Sequence, residues 1–273
     1  MANVINTNIK SIVAQNALVT NNRSLEKAMQ QLSTGKRING AADDAAGLAI
    51  SETMTAQIRG LNQAVRNAND GISMLQTAEG ALVETTNMLQ RMRELAVQSN
   101  NDTLSGAQQD YLDTEYDALI SEIDDIAQNT KWNGTAILNT TASVNFQVGA
   151  DSGNTLSFTF SKMDSSSSGL NISSTGIDSA STVSSTITSL DSALSTIANK
   201  RATLGATINQ LTYAADNLAN VSMNTAASRS RILDTDYAQA TTELARTQII
   251  QQAATAMLAQ ANQQPQSVLA LLK

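Results

Sequence analysis

Seven consecutive seven-residue steps carry an apolar or small residue through the first half of this chain: Met54, Leu61, Ala68, Leu75, Leu82, Leu89 and Ala96. Ile58, Val65 and Ile72 interleave with them at alternating steps of four and three, which is the seam of a coiled coil rather than one face of an isolated helix. The second half answers with Leu190, Ile197, Leu204, Leu211 and Leu218, interleaved by Ile187, Leu194, Ile208 and Ala215. The pattern predicts a chain that runs out along one long helix and returns along another, a rod rather than a globule.

Aromatic residues make up 3% of the chain, which supplies a bulky compact core poorly but suits long Ala-, Leu- and Gln-rich helices. Cysteine and histidine are both absent, removing disulfides, thiolate metal sites and the commonest general base. An excess of 24 Asp and Glu over 17 Lys and Arg, net charge -7, counts against nucleic acid as a partner. No stretch approaches the roughly 20 apolar residues needed to span a bilayer. Met1 to Asn6 lacks the basic and apolar regions of a cleaved signal peptide, so the chain is expected to stay inside the cell or leave by a route that needs none.

Along the chain, Ile5, Ile9, Ile12, Leu18, Leu25, Met29 and Leu32 form a helical stripe ending at Thr34-Gly35, where glycine can supply a left-handed cap. Nothing nearby in sequence partners its apolar face. Residues 36–47 read as an irregular connector, followed by the long helix from Ser51 to Gln98. Gly60, Gly71 and Gly80 inside it mean either tolerance, at up to ~1 kcal/mol each, or close approach of another backbone. Ser105 and Gln108 have the form of a capping box for a third helix with the seam Leu112, Tyr116, Leu119, Ile123 and Ile126. Val144, Phe146 and Val148, then Leu156, Phe158 and Phe160, alternate as two strands. Residues 161–186, dominated by Ser and Thr, are expected to be the most exposed part. Residues 228–236 read as a second connector before a last helix carrying Leu244, Ile249, Ile250, Met257 and Leu258.

Three stretches then carry a resemblance: residues 32–39 (LSTGKRIN), 43–50 (DDAAGLAI) and 67–73 (NANDGIS) closely resemble the amino-terminal signature of bacterial flagellin. Residues 228–238 (SRSRILDTDYA) and 268–272 (VLALL) resemble the other end of the same family. The match covers roughly residues 1–135 and 187–273. It implies a mainly α fold: a long antiparallel helical coiled-coil rod with a small β-hairpin, and discontinuous terminal helices forming an inner domain. Residues 1–44 with 232–273 would be that inner domain, and 45–231 the rod, with the hairpin around 136–160. The intervening segment is too short for the outer domains of larger members.

The resemblance implies a secreted structural subunit of the flagellar filament, with neither enzymatic activity nor cofactor nor metal. Terminal helices without an internal partner cannot recover their ordering entropy in the monomer, so they are expected to order on assembly. Ile5, Ile9, Ile12, Leu18, Leu25, Met257, Leu258, Val268, Leu269, Leu271 and Leu272 would form the polymerisation core. Family membership adds a type III export channel, an export chaperone, a filament cap and hook-filament junction proteins as partners. A junction protein or another secreted coiled-coil protein is the structural alternative, but such proteins usually depart from the signatures at the ends.

Residues 89–98 resemble the segment read by the flagellin-sensing Toll-like receptor of animals, with Arg91, Leu95 and Gln98 on one face and Glu115 as the acidic member on the next helix. That face also suits packing between subunits. Ser165, Ser166, Ser167 and Ser168 are candidates for O-linked glycosylation, by resemblance to the modified surface of some flagellins. Glu79, Arg93 and Arg201 at seam positions suit a solvated edge or a register-fixing contact. The pairs Asp43-Asp44 and Asp124-Asp125 lack any recurring basic or nucleophilic partner, which weighs against a hydrolase or metal enzyme.

Overall fold

The computed structural model describes residues 7–101, 103–178 and 180–270, the side chains of 180, 181 and 264–270 excepted. Five helices and two small sheets follow in the order α1 (Ile9–Thr34), α2 (Ala45–Ser99), α3 (Gly106–Asn129), β1 (Lys131–Trp132), β2 (Thr135–Ala136), β3 (Ser143–Gln147), β4 (Thr155–Thr159), α4 (Ala180–Leu233) and α5 (Tyr237–Ala270). The chain forms two compact units, Met1–Ala56 with Asn224–Lys273, and Gln57–Met223. α2 and α4 supply residues to both.

In the second unit the leucine steps are buried as expected: Leu61, Leu75, Leu82 and Leu89 on α2, and Leu190, Leu204, Leu211 and Leu218 on α4. Each such burial is worth roughly 1.5–3 kcal/mol. The interleaved register differs from the expectation. Val65 and Ile72 only flank the core, half-buried, while Ala64, Gly71, Ala78, Thr85, Met92 and Ser99 complete the seam three residues after each leucine step. Apart from Met92 these residues are small, which lets the neighbouring side chains approach α2 closely.

Polar contacts fix the pairing of the two long helices. Ser222 Oγ donates to Asn62 Oδ1 at 2.9 Å, and Arg93 Nε donates to Asp191 Oδ1 at 2.8 Å. Moving 31 residues forward on α2 is therefore matched by 31 backward on α4, so the helices are antiparallel and in register. Arg201 lies 3.9 Å from Glu79 between these points. The seam charges Glu79, Arg93 and Arg201 thus make contacts across helices.

Glycine has two different meanings within α2. A Cβ on Gly71 would lie 2.8 Å from Phe146 Cδ1, and one on Gly60 would lie 3.0 Å from Ala150 Cβ, whereas one on Gly80 would meet nothing within 4 Å. The first two admit the β3–β4 hairpin, whose register pairs Val144 with Phe158 and Phe146 with Leu156. Phe158 and Phe160 meet edge to face with centroids 4.9 Å apart. Asn133 (φ 48°) and Gly134 (φ 82°) make the two-residue left-handed turn that joins β1 to β2.

Residues 161–186 are not the exposed stretch expected. Met163, Leu170, Ile172, Ile177 and Val183 are buried, and α3 carries the carboxylates that hold the loop. Asp124 accepts from the backbone N–H and hydroxyl of Ser165 at 2.7 and 2.8 Å, and Asp113 accepts from Ile177 N at 3.1 Å. Ser99 Oγ donates to Ile177 O at 2.6 Å. A few apolar residues spaced among many serines sufficed to fold the loop back, because its backbone groups found partners on α3.

In the first unit α1 is capped at Asn8, whose Oδ1 accepts from Ser11 N at 3.1 Å, and ends at Gly35 (φ 69°), whose N–H reaches Gln31 O at 2.9 Å. Asp44 caps α2 by accepting from Gly47 N at 2.9 Å, and Asp236 caps α5 by accepting from Ala238 N at 2.9 Å. The second connector is shorter than the sequence suggested. Residues 228–233 continue α4, and the break is confined to 234–236, where Arg37 N donates to Leu233 O at 2.7 Å and Thr235 N to Gly35 O at 3.0 Å.

Candidate functional site: the outer surface of the paired terminal helices

α1 and α5 pack against each other, so the expectation that each terminal helix lacks a partner within its own chain is corrected. The reason lies in what the seam is made of. Its buried residues are Ser11, Asn21 and Ala28 on α1 and Ala240 and Thr247 on α5, types that a search for apolar stripes passes over. Asn8 Nδ2 donates to Ala261 O at 2.8 Å, Ser11 Oγ to Asn262 Oδ1 at 3.0 Å, Asn21 Nδ2 to Thr247 O at 2.9 Å, and Gln251 Nε2 to Asn22 Oδ1 at 3.2 Å. As α1 advances, its partners on α5 recede, so the pair is antiparallel.

This is an inverted arrangement: small and polar groups inside, large apolar groups outside. Ile9 is 57% exposed and Met257 65%, and Ile12, Val13, Val19, Met29, Ile249 and Ile250 are also exposed. Leu18, Leu25 and Leu258 are half-buried. Of the remaining residues assigned to a polymerisation core, Ile5, Leu271 and Leu272 lie outside the described residues, as do the side chains of Val268 and Leu269. Val13 and Val19 were missed by sequence reasoning because they stand off the heptad-like stripe. Their signal was β-branching at helical positions that propensity alone would give to other residues.

Connector residues near this surface are committed to structure. Asp43 accepts from Lys27 Nζ at 2.8 Å and from the N–H groups of Asn39 and Gly40 at 3.1 and 3.3 Å. The lysine hydrogen bond first, then that from Asn39, holds its carboxyl below the ordinary aspartate value. Arg229 Nη1 donates to Thr55 Oγ1 at 3.2 Å. Asp43, Asp44 and Asp124 all hold backbone N–H groups, and no cluster of three or more metal-ligating side chains occurs among the described residues.

The second surface of interest lies in the other unit. Arg91 Nε meets Glu115 Oε1 at 2.9 Å and its Nη1 meets Glu94 Oε2 at 3.2 Å, which raises the guanidinium pKa through Glu115 first and Glu94 second. Gln98 is exposed, but Leu95 is fully buried in the core. The expected single face is therefore corrected: steps of four and three from Arg91 pass through the seam, and Leu95 faces inward between two exposed polar neighbours. Of the candidate glycosylation sites, Ser165 is buried with its hydroxyl donated to Asp124, Ser166 Oγ donates to Asp164 Oδ1 at 2.7 Å, and Ser167 and Ser168 are exposed.

Comparison with known proteins matches residues 5–143 to the bacterial flagellin N-terminal helical region and residues 187–272 to the bacterial flagellin C-terminal helical region. The chain is 46% identical over 271 residues to a flagellin of Halalkalibacterium halodurans, covering 99% of this chain and 100% of that protein. It is 42% identical over 285 residues to the flagellar filament 33 kDa core protein of Treponema phagedenis, covering 99% and 100%. Among solved structures, the crystal structure of Bacillus cereus flagellin is similar with a TM-score of 0.52 and 35% identity, over 60% of this chain and 94% of that one.

Proposed function

The chain belongs to the bacterial flagellin family of structural proteins, and on that premise we propose that the exposed apolar flanks of α1 and α5 are the surface through which its copies pack. It is a structural subunit of the extracellular flagellar filament and not an enzyme. The observation that supports the packing surface is the inversion just described. Ile9, Ile12, Val13, Ile249, Ile250 and Met257 are about half exposed, so each forgoes on the order of 1 kcal/mol that burial against a neighbour would return.

The finer roles follow as parts of the same proposal. The subunit travels through a type III export channel with a chaperone and is placed under a filament cap above hook-filament junction proteins. Its ends gain order as neighbouring copies cover them. Arg91, Glu115 and Gln98 are the part of the second unit offered to the flagellin-sensing Toll-like receptor, with Leu95 shaping that surface from beneath. Ser167 and Ser168 are the serines open to glycosylation.

Substituting both Ile12 and Ile250 with Asp tests the packing surface. Seeded polymerisation, followed by sedimentation, should be lost, while the helical circular dichroism of the free subunit stays within a few per cent of the parent. Filaments forming at the parent concentration would remove these flanks from the interface.

A further inference from the structure

Nine methionines are distributed unequally between the surface and the interior. Met74, Met92 and Met163 are buried in the core of the second unit, whereas Met29 on α1, Met223 on α4 and Met257 on α5 are exposed. Met29 and Met257 stand among the exposed apolar residues of the paired terminal helices. Met257 follows Ile250 by seven residues and so shares its side of α5, in a stretch from Thr247 to Ala270 that contains no charged residue.

We propose that Met29 and Met257, toward opposite ends of the antiparallel α1–α5 pair, are two oxidation-sensitive modification sites, at which conversion to the sulfoxide turns the free subunit from assembly-competent to assembly-incompetent. The inference rests on the reading of this surface as the packing interface. The co-reactant is a peroxide or a hypohalous acid. With hydrogen peroxide, the thioether sulfur takes one oxygen, an S–O bond forms as the O–O bond breaks, and the other oxygen leaves as water. The sulfur is oxidised by two electrons and the peroxide reduced by two.

The thioether is apolar, flexible and suited to filling gaps between packed helices, but its sulfoxide is a strong hydrogen-bond acceptor. Around Met257 the exposed neighbours on α5 are aliphatic or amide side chains without a cation, so a buried sulfoxide oxygen would lose its water for little return. Exposure also sets the timing. A sulfur open in the free subunit is covered once copies pack, so each site reads the oxidant before assembly and is shielded from it afterwards.

Purified subunit treated with hydrogen peroxide, quenched, and mapped by peptide mass spectrometry should carry sulfoxide at Met29, Met223 and Met257 while Met74, Met92 and Met163 stay reduced. The apparent assembly affinity of that material should fall about tenfold or more, and methionine sulfoxide reductases should restore it. The M29L/M257L variant, whatever its own assembly affinity, should show the same affinity before and after that treatment. Full polymerisation by subunits oxidised at both sites would overturn the proposal and leave the interface reading intact. Equal loss of assembly in the treated variant would also overturn it, by moving the damage to Met223 or elsewhere. Oxidation of Met257 in preformed filaments as fast as in free subunit would instead overturn the interface reading itself, and the proposal with it.

Discussion

The side-chain amide of Asn21 donates to the carbonyl of Thr247 at 2.9 Å, and both residues are buried between α1 and α5. A buried amide without that acceptor would cost more than the bond returns, so the contact selects one register of the pair. Asn21→Ala removes one neutral hydrogen bond, worth about 1 kcal/mol, or roughly a fivefold rise in the critical concentration for polymerisation. Asn145→Ala, at an exposed position of β3 in the other unit, should leave that concentration unchanged. Equal effects at the two positions would mean that the polar seam does not set the pair.

The thin apolar content of that seam leads to a second outcome. Ala28 and Ala240 are the buried apolar residues described on α1 and α5, too little burial to offset the ordering entropy of two long helices. Limited proteolysis of free subunit should trim both ends and leave a fragment of roughly residues 45–230. Assembled filament should protect the ends. Ends that survive in the free subunit as long as α3 does would show that the pair is stable alone.

Gly71 and Gly80 should respond to alanine with opposite signs. At Gly71 the new methyl meets Phe146 and Leu211 at 2.8 and 3.2 Å, and overpacking of this kind costs about 1–3 kcal/mol. At Gly80 nothing stands in the way, and the gain in helix propensity is about 1 kcal/mol. Thermal unfolding of the free subunit should show a lower Tm for Gly71→Ala and a higher one for Gly80→Ala. A rise at both would mean that the hairpin yields easily.

The leucine and isoleucine steps were legible in the sequence because bulky residues repeated every seven positions fit a helix seam and little else. Their complement was not. Ala64, Gly71, Ala78, Thr85 and Ser99 are buried for being small, and smallness at a helix contact looks like an ordinary surface until the partner is placed. The same holds for Ser11, Asn21 and Thr247, which made α1 and α5 read as helices awaiting outside partners. Gly60 and Gly71 left two readings open, since only the position of the hairpin distinguishes them from Gly80. Leu95 shows the converse: a motif read along the sequence mixed one core residue with its exposed neighbours.

For Arg91 and Glu115 the proposed receptor role and the folding stability can be read separately. Both side chains are about half exposed, and ion pairs in such settings contribute little to folding because water and salt screen them. The R91A/E115A variant should therefore keep the parent Tm. Activation of the flagellin-sensing receptor by free subunit should fall, since charge-assisted contacts at an interface act on the partner directly. Unchanged activation would assign these residues to packing between subunits alone.

Acid stability turns on two aspartates with opposite signs. Asp43 is held below the ordinary value by its hydrogen bond from Lys27 and then by that from Asn39. Its contribution is present above the unfolded pKa of about 3.9 and is lost as pH falls through the depressed value. Asp117 is pushed up by desolvation first, then by the charges of Asp113 and Asp178. The folded chain binds that proton more tightly than the unfolded one, so its contribution is complete below about 3.9 and is lost as pH rises through the raised value. At neutral pH Asp43→Asn should lower the Tm of the assembled filament, where α1 is held, and Asp117→Asn should raise that of the free subunit, and each difference should shrink as pH falls through the folded-state value of the parent carboxylate. Without histidine, both curves should be nearly flat between about pH 6 and 8. Tm measured across a pH series on the three proteins decides it: a loss of stability in Asp117→Asn at neutral pH would show that its charge serves the fold, against the sign derived from its acidic neighbours.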